Sequence, residues 1–222
     1  MLTIAGICGD YPPTDPAGFG DFVAALPSGD IAAATAGAEP LDDPVPFRFP
    51  ASVRHRYERL DRFPAGLLVI GDAVCSFNPV YGQGMTVAAA QAMSLRGLLA
   101  RHAVPDARRY FRAIAAAIDV PWDIAVGADL AFPQVPGKRS AKVRLVNAYM
   151  PRLHAAAAHD QALAAALIRV IGLKDRPEGL LRPDRLLRVL RGNLAGSRRP
   201  IPAPAGQAPA ATPAERPVQP AR

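Results

Sequence analysis

The sequence predicts an α/β chain, with strands and helices mixed over the first hundred residues and helices alone thereafter. Three observations carry this. Short apolar runs closed by glycine or proline, Leu2–Cys8 and Leu67–Ile70, have the length and composition of strands. From Gly84 onward apolar residues recur at helical spacings of three and four, as in Ala88, Ala92, Leu95 and Leu99. Seven of the 24 prolines fall between Pro200 and Arg222, in a tail of Ala, Pro, Gln and Gly with little to bury, which is expected to be disordered.

Taken in order, Leu2–Cys8 reads as a strand closed by Gly9-Asp10-Tyr11-Pro12-Pro13; a chain that opens inside a strand is expected to have sequence upstream. Pro16–Leu26 and Asp30–Ala36 read as short helices, and Val45–Phe49 as an edge strand among Pro44, Pro46 and Pro50. Leu67–Ile70, ending in Gly71-Asp72, has the continuous apolar pattern of a strand buried on both faces. A charge-free loop, Ala73 to Gln83, leads to the helix at Gly84. Beyond Pro105 the pattern predicts helices over Ala107–Ile118, from Pro121 to about Leu130, over Ser140–Ala158 with a kink at Pro151, over Gln161–Leu173 and over Pro183–Leu190. No period of 20 to 50 residues repeats, which excludes a solenoid.

With 222 residues, half of them apolar, the chain can build one domain and part of a second. Its net charge of +7 is divided unevenly, with six basic and ten acidic side chains in residues 1–100 against twenty and nine in residues 101–222. The basic residues lie at helical spacing, as in Arg182, Arg185, Arg188 and Arg191, without interleaved aromatics or a nucleic-acid motif. They read as a solvated helix face and not as a nucleic-acid surface. The uncharged stretch Ala73–Leu95 is interrupted by Asn78, Pro79, Gly82, Gln83, Gly84 and Gln91, so no transmembrane segment is expected. Two cysteines cannot form a disulfide framework, and Met1 is not followed by a basic-then-apolar leader, so the expected compartment is the cytoplasm.

One segment is more specific than composition: Leu67 to Met85, LLVIGDAVCSFNPVYGQGM. A strand ending in Gly71-Asp72 leaves a carboxylate at the carboxyl edge of a sheet, where open α/β folds bind ligands and where it can accept hydrogen bonds from hydroxyls. Gly82 and Gly84 let backbone approach a flat ligand, and the helix that follows offers free N–H groups and a positive dipole end to an anion or an electron-rich carbonyl.

That order, present as Gly71-Asp72-Ala73, Pro79, Gly82 and Gly84, closely resembles the second FAD-binding motif of flavoprotein monooxygenases of the para-hydroxybenzoate hydroxylase type. The resemblance implies that Asp72 contacts the ribityl hydroxyls of FAD and that the loop from Pro79 to Gly84 lies along the isoalloxazine. The cofactor-binding set is then Gly71, Asp72, Ala73, Pro79, Gly82, Gln83, Gly84 and Met85. It also implies a fold that is the C-terminal portion of an FAD-binding Rossmann-like fold with a largely helical end, extended by a weaker likeness over residues 1–192 that includes the Pro121-Trp122 step. In that frame residues 1–65 close the substrate-domain sheet, 66–104 hold the FAD-motif strand, loop and helix, 105–192 form the helical region, and 193–222 are the tail.

Half of the family's cofactor site has no counterpart. The N-terminal ADP-binding βαβ with G-x-G-x-x-G is missing, since Gly18-Phe19-Gly20 lacks the third glycine, and so is the Asp-Gly motif related to NAD(P)H. The expectation is a truncated gene product or a reading frame opened too late. The implied activity is that of a partial FAD-dependent oxidoreductase, a monooxygenase that hydroxylates or epoxidises a small apolar or aromatic substrate through a flavin hydroperoxide, with NAD(P)H as possible electron donor. A flavin-dependent reductase or halogenase belongs to the same fold. The alternative from another class is a non-catalytic remnant or interaction module without bound FAD.

The remaining candidates read as structural. Cys75 has no His beside it and no Cys-x-x-Cys partner, so it is expected to pack in its loop. His55, His102, His154 and His159 lack metal spacing, and Asp123 and Asp129, six apart, do not share a helix face. Trp122 reads as a core anchor. No catalytic acid, base or metal ligand is assigned.

Overall fold

The computed structural model describes residues 1–101 and 104–196, with only the backbone of Ala195 and Gly196. The tail from Ser197 onward and His102 lie outside the described residues. Two compact units separate near residue 45.

The first unit, described over Met1–Ile4 and Pro12–Val45, carries helices α1 (Pro16–Ala24) and α2 (Gly29–Thr35). Both begin where the residue types dictate. Asp15 accepts the Gly18 N–H at 2.7 Å with Pro16 at the first helical position, and Ser28 accepts the Asp30 N–H at 3.4 Å. Val23 is the one buried side chain among the unit's described residues.

The second unit takes Ala5–Tyr11 and the chain from Pro46. Its sheet is a two-residue antiparallel pair, β1 (Val53–Arg54) and β2 (Cys75–Ser76), with Val53 opposite Ser76 and Arg54 opposite Cys75. Five helices follow: α3 (Gly84–Leu99), α4 (Ala107–Asp129), α5 (Ala141–Ala157), α6 (Gln161–Ile171) and α7 (Pro183–Gly196). Asp106, Ser140 and Asp160 cap α4, α5 and α6 with their side-chain oxygens. One core joins Val74, Cys75, Phe77 and Val87 to Tyr110, Phe111, Ile114 and Ile118 of α4; a second joins Leu153, Leu163, Val170, Leu180 and Val189. No described helix is long and apolar enough to cross a membrane.

Several expected elements differ. Leu67–Ile70 is not a buried strand: Ile70 is extended, yet Leu67 and Ile70 are 49% and 43% exposed and the run joins no ladder. An apolar run becomes a strand only where neighbours take its N–H and C=O groups, and the described residues hold no third strand. Leu2–Cys8 likewise forms only an isolated bridge, Ile7 to Asp10, around a turn with positive φ at Cys8 and Gly9, and Val45–Phe49 forms no strand. Pro121 does not open a new helix: α4 runs through it, and the ring is fully buried. The α3 stripe is rotated by one residue, with Val87, Gln91 and Leu98 buried and Ala92 and Leu99 exposed.

Candidate functional site

Residues 71–85 form two short turns and a helix start. Gly71, at φ +71°, begins a 3₁₀ turn over Gly71–Ala73, closed by the Val74 N–H donating to the Gly71 carbonyl at 2.9 Å. Asp72 and Ala73 are exposed on it. A second 3₁₀ turn spans Pro79–Tyr81, where Asn78 Oδ1 accepts the Val80 N–H at 3.1 Å, and Gly82, at φ +63°, ends it. At Gly71 and Gly82 the left-handed backbone asks for glycine.

Gln83 precedes α3 without a side-chain cap, and the first helical bond is the Val87 N–H to the Gln83 carbonyl at 3.0 Å. The N–H groups of Gly84, Met85 and Thr86 therefore stand outside the helical ladder, at the positive end of a 16-residue helix. A Cβ at Gly71, Gly82 or Gly84 would meet no atom within 4 Å, so the face over the loop is open. Met85 is 87% exposed.

Three side chains and one backbone carbonyl from elsewhere in the chain fix this loop. Gln91 Oε1 accepts the Gly71 N–H at 2.8 Å, the Asn78 N–H donates to Ser52 Oγ at 3.0 Å, the Tyr81 hydroxyl donates to Asp129 of α4, and Gln83 Nε2 donates to the Ile171 carbonyl at 3.3 Å. Burial and the hydrogen bond to Asp129 both push the Tyr81 phenol above its ordinary range. Gln83 and Gln91 are buried, and Gln83 Oε1 and Gln91 Nε2 have no partner. Sequence reasoning placed Gln83 against a ligand; here its amide is turned inward. Gln91, Tyr81 and Asp129 were missed, although a lone glutamine on a helix face between Val87 and Leu98 was a legible signal.

Gln91 lies seven residues along α3 from Gly84, and its side chain ties the Gly71 turn to that helix. Asp72, next to Gly71 on that turn, is exposed. Neither of the two best-formed cavities among the described residues includes it: one is lined by Arg62, Phe63 and Pro64, the other lies between α5 and α7.

Cys75 is in β2 and 1% exposed; burial pushes its thiol to about 11, against the opposing pull of Arg54 and Arg56. The thiol is neutral at pH 7, and its contribution to stability is full below about pH 9 and lost as pH rises towards 11. In native protein at pH 7.5, iodoacetamide is expected to label the exposed Cys8 and leave Cys75 intact, as peptide mapping reads directly. Rapid labelling of Cys75 would show an open thiolate. His55, His154 and His159 are exposed, Trp122 packs against Phe77 at 6.1 Å, and no group of three or more metal-ligating side chains comes together among the described residues.

Fold and site define a mostly helical chain with a small antiparallel sheet, in which a glycine-punctuated loop leads into an uncapped helix. It is similar to Protein Rv3254 of Mycobacterium tuberculosis (strain ATCC 25618 / H37Rv), with 52% identity over 67 residues that make up 30% of this chain and 14% of that protein. The match therefore spans a small part of that relative's length. No family model matches the chain.

Proposed function

We propose that residues 71–85 are the flavin-contacting part of an FAD-dependent oxidoreductase resembling monooxygenases of the para-hydroxybenzoate hydroxylase type. The observation that carries this reading is Gly84. Its φ lies outside the left-handed region, and a Cβ there would touch nothing, so folding alone does not ask for glycine at this position. Its absent side chain keeps clear the space in front of the free N–H groups of α3, which suits the close approach of a flat, electron-rich ring.

The residues present fit one end of the cofactor. Asp72, exposed on its turn, would accept hydrogen bonds from ribityl hydroxyls, while the N–H groups of Gly84 and Met85 would face the ring. Ala73, Pro79 and Gly82 would line the path, and Gln83 would act by holding the loop to Ile171. When bound, FAD supplies the redox chemistry that hydroxylates or epoxidises a small apolar or aromatic substrate, with NAD(P)H as electron donor. The chain's own residues bind, orient and exclude water; none is assigned a proton transfer.

Pyrophosphate and adenosine contacts supply much of a dinucleotide's affinity, and this sequence has no G-x-G-x-x-G to make them. The chain alone is expected to hold FAD about a hundredfold more weakly than a hybrid carrying an upstream strand-turn-helix from a related gene. Flavin absorbance of both purified proteins measures this, and Asp72→Ala should lower the hybrid's affinity about tenfold. A colourless hybrid would remove the flavin assignment. A yellow isolated chain with stoichiometric FAD would instead show that these residues suffice.

A further inference from the structure

The groove between α5 and α7 has no part in the flavin reading. Val189 is buried there, and a Cβ at Gly192 would come within 2.9 Å of Ala156 Cβ, so glycine lets the two helices approach. The Asn193 side chain donates to the Arg152 carbonyl at 2.9 Å and ties them. Helical geometry places Leu186, Leu190 and Leu194 on a second stripe of α7, away from Val189, with Leu187 at its edge. These four leucines are 40%, 57%, 66% and 53% exposed. Leu186, Leu190 and Leu194 line the groove against α5, and contiguous exposed apolar side chains of this kind are often functional.

Its rim is positive. Arg152 lines the groove from α5, and Arg191 lies beyond Leu187 on the other side of the stripe. Neither forms an ion pair among the described residues, whereas Arg169, Arg176, Arg182 and Arg188 are paired with Asp175, Glu178, Asp184 and Asp160.

We propose that this groove docks an acidic amphipathic helix of a partner protein. Leu186 to Leu194 spans two turns, about 12 Å, which matches anchors at i, i+4 and i+7 of a helix laid in the groove. Carboxylates flanking those anchors would meet Arg152 and Arg191. A second copy of this chain would bring the same cations face to face, and a planar lipid surface does not enter a concave groove.

The test uses the full chain and a fluorescent synthetic helix of about 18 residues with leucines at i, i+3, i+4 and i+7 and glutamates elsewhere, alongside a scrambled version and a lysine version. Anisotropy should detect binding of the Leu/Glu helix alone. Leu190→Glu with Leu194→Glu should weaken it about tenfold. Arg152→Glu with Arg191→Glu should weaken it similarly and create binding of the lysine helix, a rescue that a misfolded protein could not give. All four positions are exposed, and circular dichroism of each variant checks that it folds. Equal binding of the scrambled peptide, or indifference to both pairs of substitutions, would overturn the proposal. So would a dimer in sedimentation equilibrium, or co-sedimentation with phosphatidylserine vesicles, that Leu190→Glu abolishes.

Discussion

Asp119→Ala is expected to cost about 3 kcal/mol of unfolding free energy, more than removal of its partner. The partner, Arg54, has a side chain only 2% exposed, and its Nη2 donates to Asp119 Oδ1 at 2.7 Å and to the Ala115 carbonyl at 3.4 Å. Glu58 is farther, at 3.7 Å, and Arg54 Nη1 has no partner. Removing Asp119 leaves a guanidinium in the protein with its best counterion gone. Arg54→Met removes the buried charge itself and leaves Asp119, 57% exposed, to water and to Arg56 at 3.5 Å, so it should cost about 1 kcal/mol. Urea titration of both variants decides between them. An Asp119→Ala protein as stable as Arg54→Met would mean that water already reaches the guanidinium.

Phe111→Ala should be at least as severe, at about 4 kcal/mol. The Phe111 ring is 1% exposed and stands 5.1 Å from Tyr57 and 4.7 Å, edge to face, from Phe63. Those two rings belong to the stretch between β1 and β2, which has little regular structure to hold it and relies on the aromatic contacts to stay on α4. Scanning calorimetry should show the melting temperature falling by about 10 °C, while Phe111→Leu, which keeps most of the volume, should lose less than half of that. A small change in Phe111→Ala would place the anchor of that stretch elsewhere.

The parts of the fold legible in the sequence are those that local chemistry decides. Asp15-Pro16, Ser140 and Asp160 mark helix starts because a short oxygen-bearing side chain satisfies free N–H groups from its own position, whatever surrounds it. Leu67–Ile70 was misjudged because a strand is a property of its neighbours. The α3 stripe was misplaced by one residue because alanines were counted as apolar and Gln91 as polar; burial went instead to the face that could also reach the Gly71 N–H. In the candidate site, Gly71 and Gly82 have backbones that glycine favours, whereas Gly84 has no positive φ and no neighbour that would exclude a side chain. The bonds that hold the loop, Tyr81 to Asp129 and Gln83 to Ile171, join residues 48 and 88 positions apart, and no local pattern announces them.

Pro121 sets local preference against packing in α4. Having no N–H, it cannot bond the Ala117 carbonyl, and a proline inside a helix costs about 3 kcal/mol before any contact is made. Taken alone, the segment's local preference is therefore for a break at residues 117–121. The core offsets that preference, since Tyr110, Ile114 and Ile118 before the proline and Ala125 after it are buried in the same cluster. The continuity of α4 across Pro121 thus depends on the packing around it, so substitutions that empty that core should loosen the helix at residues 117–121 before its two ends.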